Sequence, residues 1–124
     1  TLRNAREFGV EPLLRRVRAL EPLGYREMLS LTDGAAVVLT DSGGVQEETS
    51  VLGVPCVTLR EQTERPVTVT EGTNRLAPWP LTPGGVYDAY CAARSSGRTA
   101  GATIEGWDGR AGERVVVAME EATI

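Results

Sequence analysis

Apolar positions recur along the chain with two periods, and each period predicts a different kind of element. Leu2, Ala5 and Phe8 share one helical face that stops at Gly9, the pattern of a helix tail. Arg16 to Leu20 alternates Val17 and Ala19 against Arg16 and Arg18, which predicts a strand, and Glu21-Pro22-Leu23-Gly24 then turns the chain. Tyr25, Met28, Leu29 and Thr32 return at helical spacing before Asp33-Gly34 ends the run. Ala35 to Thr40 is unbroken and apolar, as suits a strand covered on both faces in a parallel sheet. A helix over Val45–Leu52 closed by Gly53 and a second buried strand over Val54–Leu59 complete a βαβ unit.

Beyond that unit the pattern weakens. Gln62 to Arg75 is polar and turn-rich, and Leu76 to Leu81 sets two prolines around Trp79, so both segments read as connections. Thr82 as N-cap and Pro83 at the first helical position introduce Val86, Ala89, Tyr90 and Ala93, a stripe at i, i+3, i+4 and i+7. Arg94 to Gly106 reads as a loop. A last helix from Ala111 aligns Ala111, Val115, Ala118, Met119 and Ala122, with Asp108 as its expected N-cap and Trp107 packed on the core. Helices alternating with apolar strands predict a layered α/β fold with a mainly parallel sheet.

The stretch Asp41 to Glu48 carries the clearest chemistry. A buried strand ends in Ser42-Gly43-Gly44 and a helix starts at once. A helix N-terminus presents unpaired N–H groups and partial positive charge, and glycines let a phosphate approach the backbone. In open parallel sheets such a turn lies where ligands collect, beyond the carboxyl ends of the strands. Glu48, about one turn further on, has the reach to accept hydrogen bonds from a ribose diol. The same residues also fit an ordinary strand-to-helix turn with Ser42 as N-cap. The spacing is neither GxGxxG nor a P-loop, which excludes the usual dinucleotide and Walker-type nucleotide signatures.

Composition narrows the chemistry further. The 124 residues, 41% hydrophobic and 5% aromatic, suit one small domain with an aliphatic core, and the opening Thr in place of Met suggests a partial chain. All 13 basic residues are Arg, dispersed among 17 acids for a net charge of −4, so no basic stripe suits nucleic acid. With no His, zinc and imidazole chemistry are not expected. Cys56 and Cys91 lack a CxxC spacing and read as core thiols. No apolar run approaches the ~20 residues that span a bilayer, and no leader pattern opens the chain, so a cytoplasmic protein without a membrane role is expected.

The run Leu39-Thr-Asp-Ser-Gly-Gly-Val-Gln-Glu-Glu-Thr-Ser-Val-Leu-Gly-Val-Pro55, followed by Leu59-Arg-Glu-Gln-Thr-Glu-Arg-Pro66 and Thr70-Glu-Gly-Thr-Asn74, resembles UDP-N-acetylglucosamine 2-epimerases. Glu21-Pro-Leu-Gly-Tyr25 upstream, and Trp107-Asp-Gly-Arg-Ala111 with Glu113-Arg114 downstream, extend the resemblance over essentially the whole chain. Thr63 to Asn74 looks more like the non-hydrolysing group than the hydrolysing one.

The resemblance implies a glycosyltransferase-B-like fold, with residues 1–124 forming most of its C-terminal Rossmann-like domain. It also implies an isomerase that interconverts UDP-GlcNAc and UDP-ManNAc by anti elimination and re-addition of UDP, with no metal or redox cofactor. Ser42, Gly43, Gly44 and Glu48 fall on positions that bind the diphosphate and ribose, and Arg65 on an active-site arginine near the sugar. From the sequence alone Arg65 also fits an ion pair with Glu64 or Glu61. Met28 replaces a Phe that often stacks on uracil; with Leu23 it is the candidate base contact, and its helical spacing equally suits a core residue. The family's proton-transfer carboxylates belong to an N-terminal domain, so this chain alone is expected to be inactive. The implied partners are UDP, a UDP-N-acetylhexosamine, that domain, and a second copy in a homodimer. A glycosyltransferase nucleotide-sugar domain and a non-catalytic UDP-binding module are the competing readings, and Thr63-Glu64-Arg65-Pro66 argues against the transferase.

Overall fold

A computed structural model describes residues 2–122; Thr1 and the side chain of Leu2, one of the three residues predicted to line the first helix, lie outside that description. Among the described residues, seven helices and three strands follow in the order α1 (Leu2–Glu7), α2 (Glu11–Leu14), α3 (Tyr25–Asp33), β1 (Val38–Thr40), α4 (Gly43–Leu52), β2 (Cys56–Thr58), α5 (Val67–Thr70), β3 (Asn74–Leu76), α6 (Pro83–Ser96) and α7 (Ala111–Glu121). The strands form one parallel sheet in the order β1-β2-β3, with Val38 beside Cys56 and Cys56 beside Asn74. Helix α4 makes the crossover from β1 to β2, and α5 lies in the crossover from β2 to β3. The predicted α/β architecture with a parallel sheet is therefore present.

The two faces of the sheet differ in kind, because side chains alternate along a strand. Val57 points to one face and packs with Ala77 and Ala93 of α6, flanked by Val37, Leu59, Val86 and Ala89. Cys56 and Thr58, on the other face, are fully buried toward α4, where Thr49 hydrogen-bonds the Cys56 thiol. That face is a polar layer of Gln46, Thr49, Ser50, Thr58, Thr68 and Asn74, all buried. Burial pushes the Cys56 thiol above its ordinary pKa, opposed by the Thr49 hydrogen bond.

Local chemistry sets the helix ends. Glu27 reaches back to accept the Gly24 N–H at 2.8 Å at the start of α3. Thr82 accepts the Gly85 N–H at 3.1 Å and Pro83 follows it, as the sequence predicted for α6. Helix α4 ends in a Schellman motif: Gly53 takes φ +71°, Val54 N–H reaches Thr49 O at 2.9 Å and Gly53 N–H reaches Ser50 O at 3.3 Å. The loop after α6 fastens this end. Thr99 N–H bonds Gly53 O and Ala102 N–H bonds Ser50 O, both at 2.9 Å. Arg98 bonds the Asp33 carboxylate and carbonyl and also donates to Leu52 O at 3.2 Å, so one guanidinium covers the carbonyl ends of α3 and α4.

Several predicted elements take a different form. Arg16–Leu20 is irregular rather than a strand, with Val17 and Leu20 exposed, because no neighbouring strand among the described residues supplies a ladder. The two apolar runs contain strands of three residues each, and only the second is buried. Val54 to Thr58 is covered throughout, whereas Ala35 to Thr40 is half-buried or exposed, with Leu39 43% exposed, because β1 is an edge strand of the described sheet rather than one covered on both faces. Gln62–Arg75 holds α5 and the start of β3, and α6 continues through the start of the predicted loop to Ser96. Arg110, not Asp108, takes the N-cap position of α7; Asp108 instead accepts the Arg110 N–H at 3.0 Å and pairs with Arg114 at 2.6 Å. The hydrogen bond from Arg114 holds the Asp108 carboxyl below its ordinary pKa. Helix α7 buries no residue, so its predicted apolar face is open, with Val115, Val116, Val117 and Met119 exposed. Phe8 is likewise exposed while Ala5 is buried, and Cys91 is only half-buried.

A Cβ at Gly53 would lie 2.3 Å from Thr99 O and 2.6 Å from Gly101 N, in addition to the left-handed φ. Gly53→Ala is expected to destabilise the fold by about 1–3 kcal/mol from backbone strain alone, read as a lowered midpoint in thermal unfolding. Cys56 is expected to resist alkylation by iodoacetamide at neutral pH in the folded chain and to react once urea unfolds it.

Candidate functional site

The end of β1 and the start of α4 form a turn whose donors are unspent. Ser42 N–H is taken by Thr40 Oγ1 at 3.0 Å, and Gln46 N–H makes the first helical bond, to Ser42 O at 3.2 Å. The N–H groups of Gly43, Gly44 and Val45 therefore have no acceptor within the helix. Ser42 occupies the N-cap position with extended backbone, φ −85° and ψ 125°, yet its side chain makes no capping hydrogen bond. Ser42 is thus the N-cap of a strand-to-helix turn without the side-chain bond of an ordinary cap, and its hydroxyl and three amides stand together at the positive end of a ten-residue helix. Gly43 and Gly44 form the first turn of α4 itself, two residues earlier than the hydrophobic pattern placed its start.

Three consecutive residues of α4 then take three directions, because each step turns about 100° around the axis. Gln46 points inward. Its Oε1 accepts from Thr63 Oγ1 at 2.6 Å and from Asn74 Nδ2 at 3.1 Å. Thr63 Oγ1 in turn accepts the Arg65 N–H at 3.0 Å, and Arg65 O accepts from Thr68 Oγ1 at 2.7 Å. The loop that carries Arg65 is therefore tied to the same helix that presents the free amides. Glu47 meets that arginine: its Oε1 lies 2.5 Å from Arg65 Nε. The N–H is not aligned on the carboxylate, so the contact is an ion pair rather than a directed hydrogen bond. The sequence offered Glu64 or Glu61 as the partner of Arg65, and the pairing goes to neither: Glu64 bonds Arg60 at 2.9 Å and offers Arg65 only its carbonyl, at 3.2 Å from Nη1.

Glu48 faces a groove of about 510 Å³ with Tyr25 and Leu29 of α3, Val51 and Leu52 of α4, Glu47 and Trp107. Trp107 is half-buried at this groove rather than in the α6-side core. Leu23 lines a different groove, with Arg26, Glu27, Ser30, Leu31 and Gly34, and Met28 lines neither. Met28 is 40% exposed, so it is not a core residue. The structure thus brings Ser42, Gly43, Gly44 and Arg65 together around one turn with Glu48 on the same helix, while Tyr25 and Trp107 are the aromatic neighbours of Glu48. Helical spacing put Tyr25 and Leu29 on one face, but no local signal joined Tyr25 or Trp107 to Glu48, since each reaches the groove from a separate element.

Comparison with known proteins bears on what this arrangement is. The profile of the UDP-N-acetylglucosamine 2-epimerase family matches residues 4–120. The chain belongs to the UDP-N-acetylglucosamine 2-epimerase family, of the non-hydrolysing type. UDP-N-acetylglucosamine 2-epimerase of Methanocaldococcus jannaschii is 48% identical over 79 residues, 61% of this chain and 22% of that protein. The solved structure of UDP-GlcNAc 2-epimerase from the same organism, in complex with UDP-GlcNAc and UDP, aligns over 96% of this chain and 33% of that one, with a TM-score of 0.79 and 35% identity. UDP-2,3-diacetamido-2,3-dideoxy-D-glucuronate 2-epimerase of Pseudomonas aeruginosa is 52% identical over 60 residues, 48% of this chain and 17% of that protein. The chain thus spans about a third of the length of the solved 2-epimerase.

Within this family member, Thr63 joins Gln46 to Arg65. Thr63→Val keeps the shape but removes one donor to Gln46 Oε1 and the acceptor for Arg65 N–H. It is expected to cost about 1–3 kcal/mol of stability, measured by urea unfolding.

Proposed function

We propose that this chain binds UDP at the β1–α4 turn and serves as the nucleotide-binding C-terminal domain of a glycosyltransferase-B-like 2-epimerase. In this reading Ser42 Oγ and the amides of Gly43 and Gly44 hold the diphosphate, Glu48 accepts from the ribose diol, and Arg65 lies near the sugar. The observation that carries the proposal is the uncapped N-terminus of α4 at the end of a parallel strand, inside the stretch that matches the family.

The chemistry that such a site supports is departure and return of UDP. In the epimerisation of UDP-GlcNAc to UDP-ManNAc, a base takes the C2 proton, the C1–O bond breaks with its electrons leaving on UDP, and a glycal forms. Re-addition of UDP at C1 and of a proton to the opposite face of C2 completes the exchange. Backbone amides aimed at the diphosphate stabilise the negative charge that develops on the leaving oxygen. The groups that move the C2 proton are assigned to the N-terminal domain of a complete enzyme, so residues 1–124 alone bind UDP without epimerising it. The identity shared with the Pseudomonas aeruginosa diacetamido-glucuronate enzyme fits this division, with the shared region serving the nucleotide and the sugar set elsewhere.

Titration calorimetry of the chain with UDP and with uridine tests the reading. UDP is expected to bind and uridine to bind at least about tenfold more weakly, since charge-assisted hydrogen bonds to phosphate are the stronger class. Ser42→Ala and Glu48→Ala are each expected to weaken UDP binding about three- to tenfold. Equal affinity for uridine and UDP, or a folded chain that binds neither, would overturn the proposal.

A further inference from the structure

Glu47 is an acidic residue at this site that the UDP reading leaves without a task. A carboxylate beside a diphosphate site is unfavourable by charge alone, so its presence needs a reason. Gly43 and Glu47 are four residues apart on α4 and share a face, with Glu47 one turn further from the N-terminus. The Arg65 side chain lies over both. A Cβ at Gly43 would be 3.8 Å from Arg65 Cγ and 3.9 Å from Cζ and Nε, and the Nε edge rests 2.5 Å from Glu47 Oε1. Nη1 is held by the Glu64 carbonyl at 3.2 Å. Among the described residues Nη2 has no hydrogen-bond partner.

We infer that Glu47 is a positioning residue, which fixes the Arg65 guanidinium over the first turn of α4 so that it meets the sugar-side phosphate of the bound nucleotide with Nη2 unspent. This rests on the UDP reading of the turn. A free arginine side chain surrenders much rotamer freedom when it engages a ligand, and a pairing made in advance removes that loss. The pair also cancels the Glu47 charge close to its source, leaving the helix N-terminus attractive to an anion. Both partners are about two-fifths exposed, which limits the effect to that of a solvent-screened pair.

The test is a double-mutant cycle on the full chain, with UDP titrated into the unmutated protein, Glu47→Gln, Arg65→Ala and the double variant. Glu47→Gln is expected to weaken UDP binding about fivefold with an unchanged thermal midpoint, Glu47→Asp to recover part of the loss, and Glu47→Gln to have no effect when residue 65 is Ala. Should Arg65→Ala bind too weakly to titrate, the Arg65 Nε–H signal of the ligand-free chain in ¹⁵N NMR makes the same distinction, shifting and exchanging faster in Glu47→Gln. Tighter UDP binding in Glu47→Gln would mean that the carboxylate only repels the ligand, and equal weakening in both backgrounds would mean that it acts without Arg65; either overturns the inference. If the unmutated chain binds UDP and Glu47→Gln is neutral, the inference alone falls. If the unmutated, folded chain does not bind UDP, the nucleotide reading falls and takes this one with it.

Discussion

A single amide at Gln46 joins three parts of the chain that are otherwise far apart in sequence. Its oxygen receives the hydroxyl of Thr63 from the loop after β2 and the amide of Asn74 at the start of β3. Asn74 is committed on its other side, accepting from Thr58 Oγ1 at 2.7 Å and donating to Thr68 Oγ1 at 3.0 Å. Helix, strands and loop are thereby held in register by directed bonds in a buried layer, where an unmade bond costs more than a made one contributes. Apolar packing on the α6 side is less directional and tolerates sliding, whereas this layer does not. Arg65 is where it is because Thr63 is, and Thr63 is where it is because of Gln46.

The polar layer also explains what could be read from the sequence. Helices α3, α4 and α6 were legible because their ends carry local signals, such as Thr82-Pro83 or Gly53, and α6 also because an apolar stripe of Val86, Ala89 and Ala93 marks its inner face, whereas α4 turns Gln46, Thr49 and Ser50 inward. Strand β3 was not, since its inward residue is Asn74 and its others are half or fully exposed; a strand buried through hydrogen bonds leaves no hydrophobic pattern. The opposite error arose at Arg16–Leu20, where alternation is present but no partner strand lies alongside among the described residues. Alternation records a preference of the side chains, and only a neighbour turns it into a strand.

At the site, the residues with short-range signatures were legible and those defined by distant contacts were not. Ser42, Gly43 and Gly44 announce a backbone that something approaches closely. Arg65 was recognised as a candidate through the family's motif, but its partner was misassigned to near neighbours in sequence, because Glu47 lies eighteen residues upstream and comes within reach only once α4 and the loop are folded together. Leu23 and Met28 show the converse: both stand close to Tyr25 in sequence, yet the groove at Glu48 is formed by Tyr25 and Leu29, on the side of α3 that packs on α4.

Arg98 has a mechanical consequence. By holding the carbonyl ends of α3 and α4 with one guanidinium, it acts as a pin at one end of a pair of levers. A pinned pair moves most easily by rotating about the pin, and displacement then grows along the helices toward Tyr25 and Gly43. Helix α3, with nine residues, is about 13 Å long at 1.5 Å per residue, so a rotation of a few degrees at Arg98 changes the width of the groove between Tyr25 and Glu48 by several tenths of an ångström. The carbonyl ends of α3 and α4, at the opposite end of α4 from the β1–α4 turn, thus set how stiffly the walls of the groove at Glu48 are held.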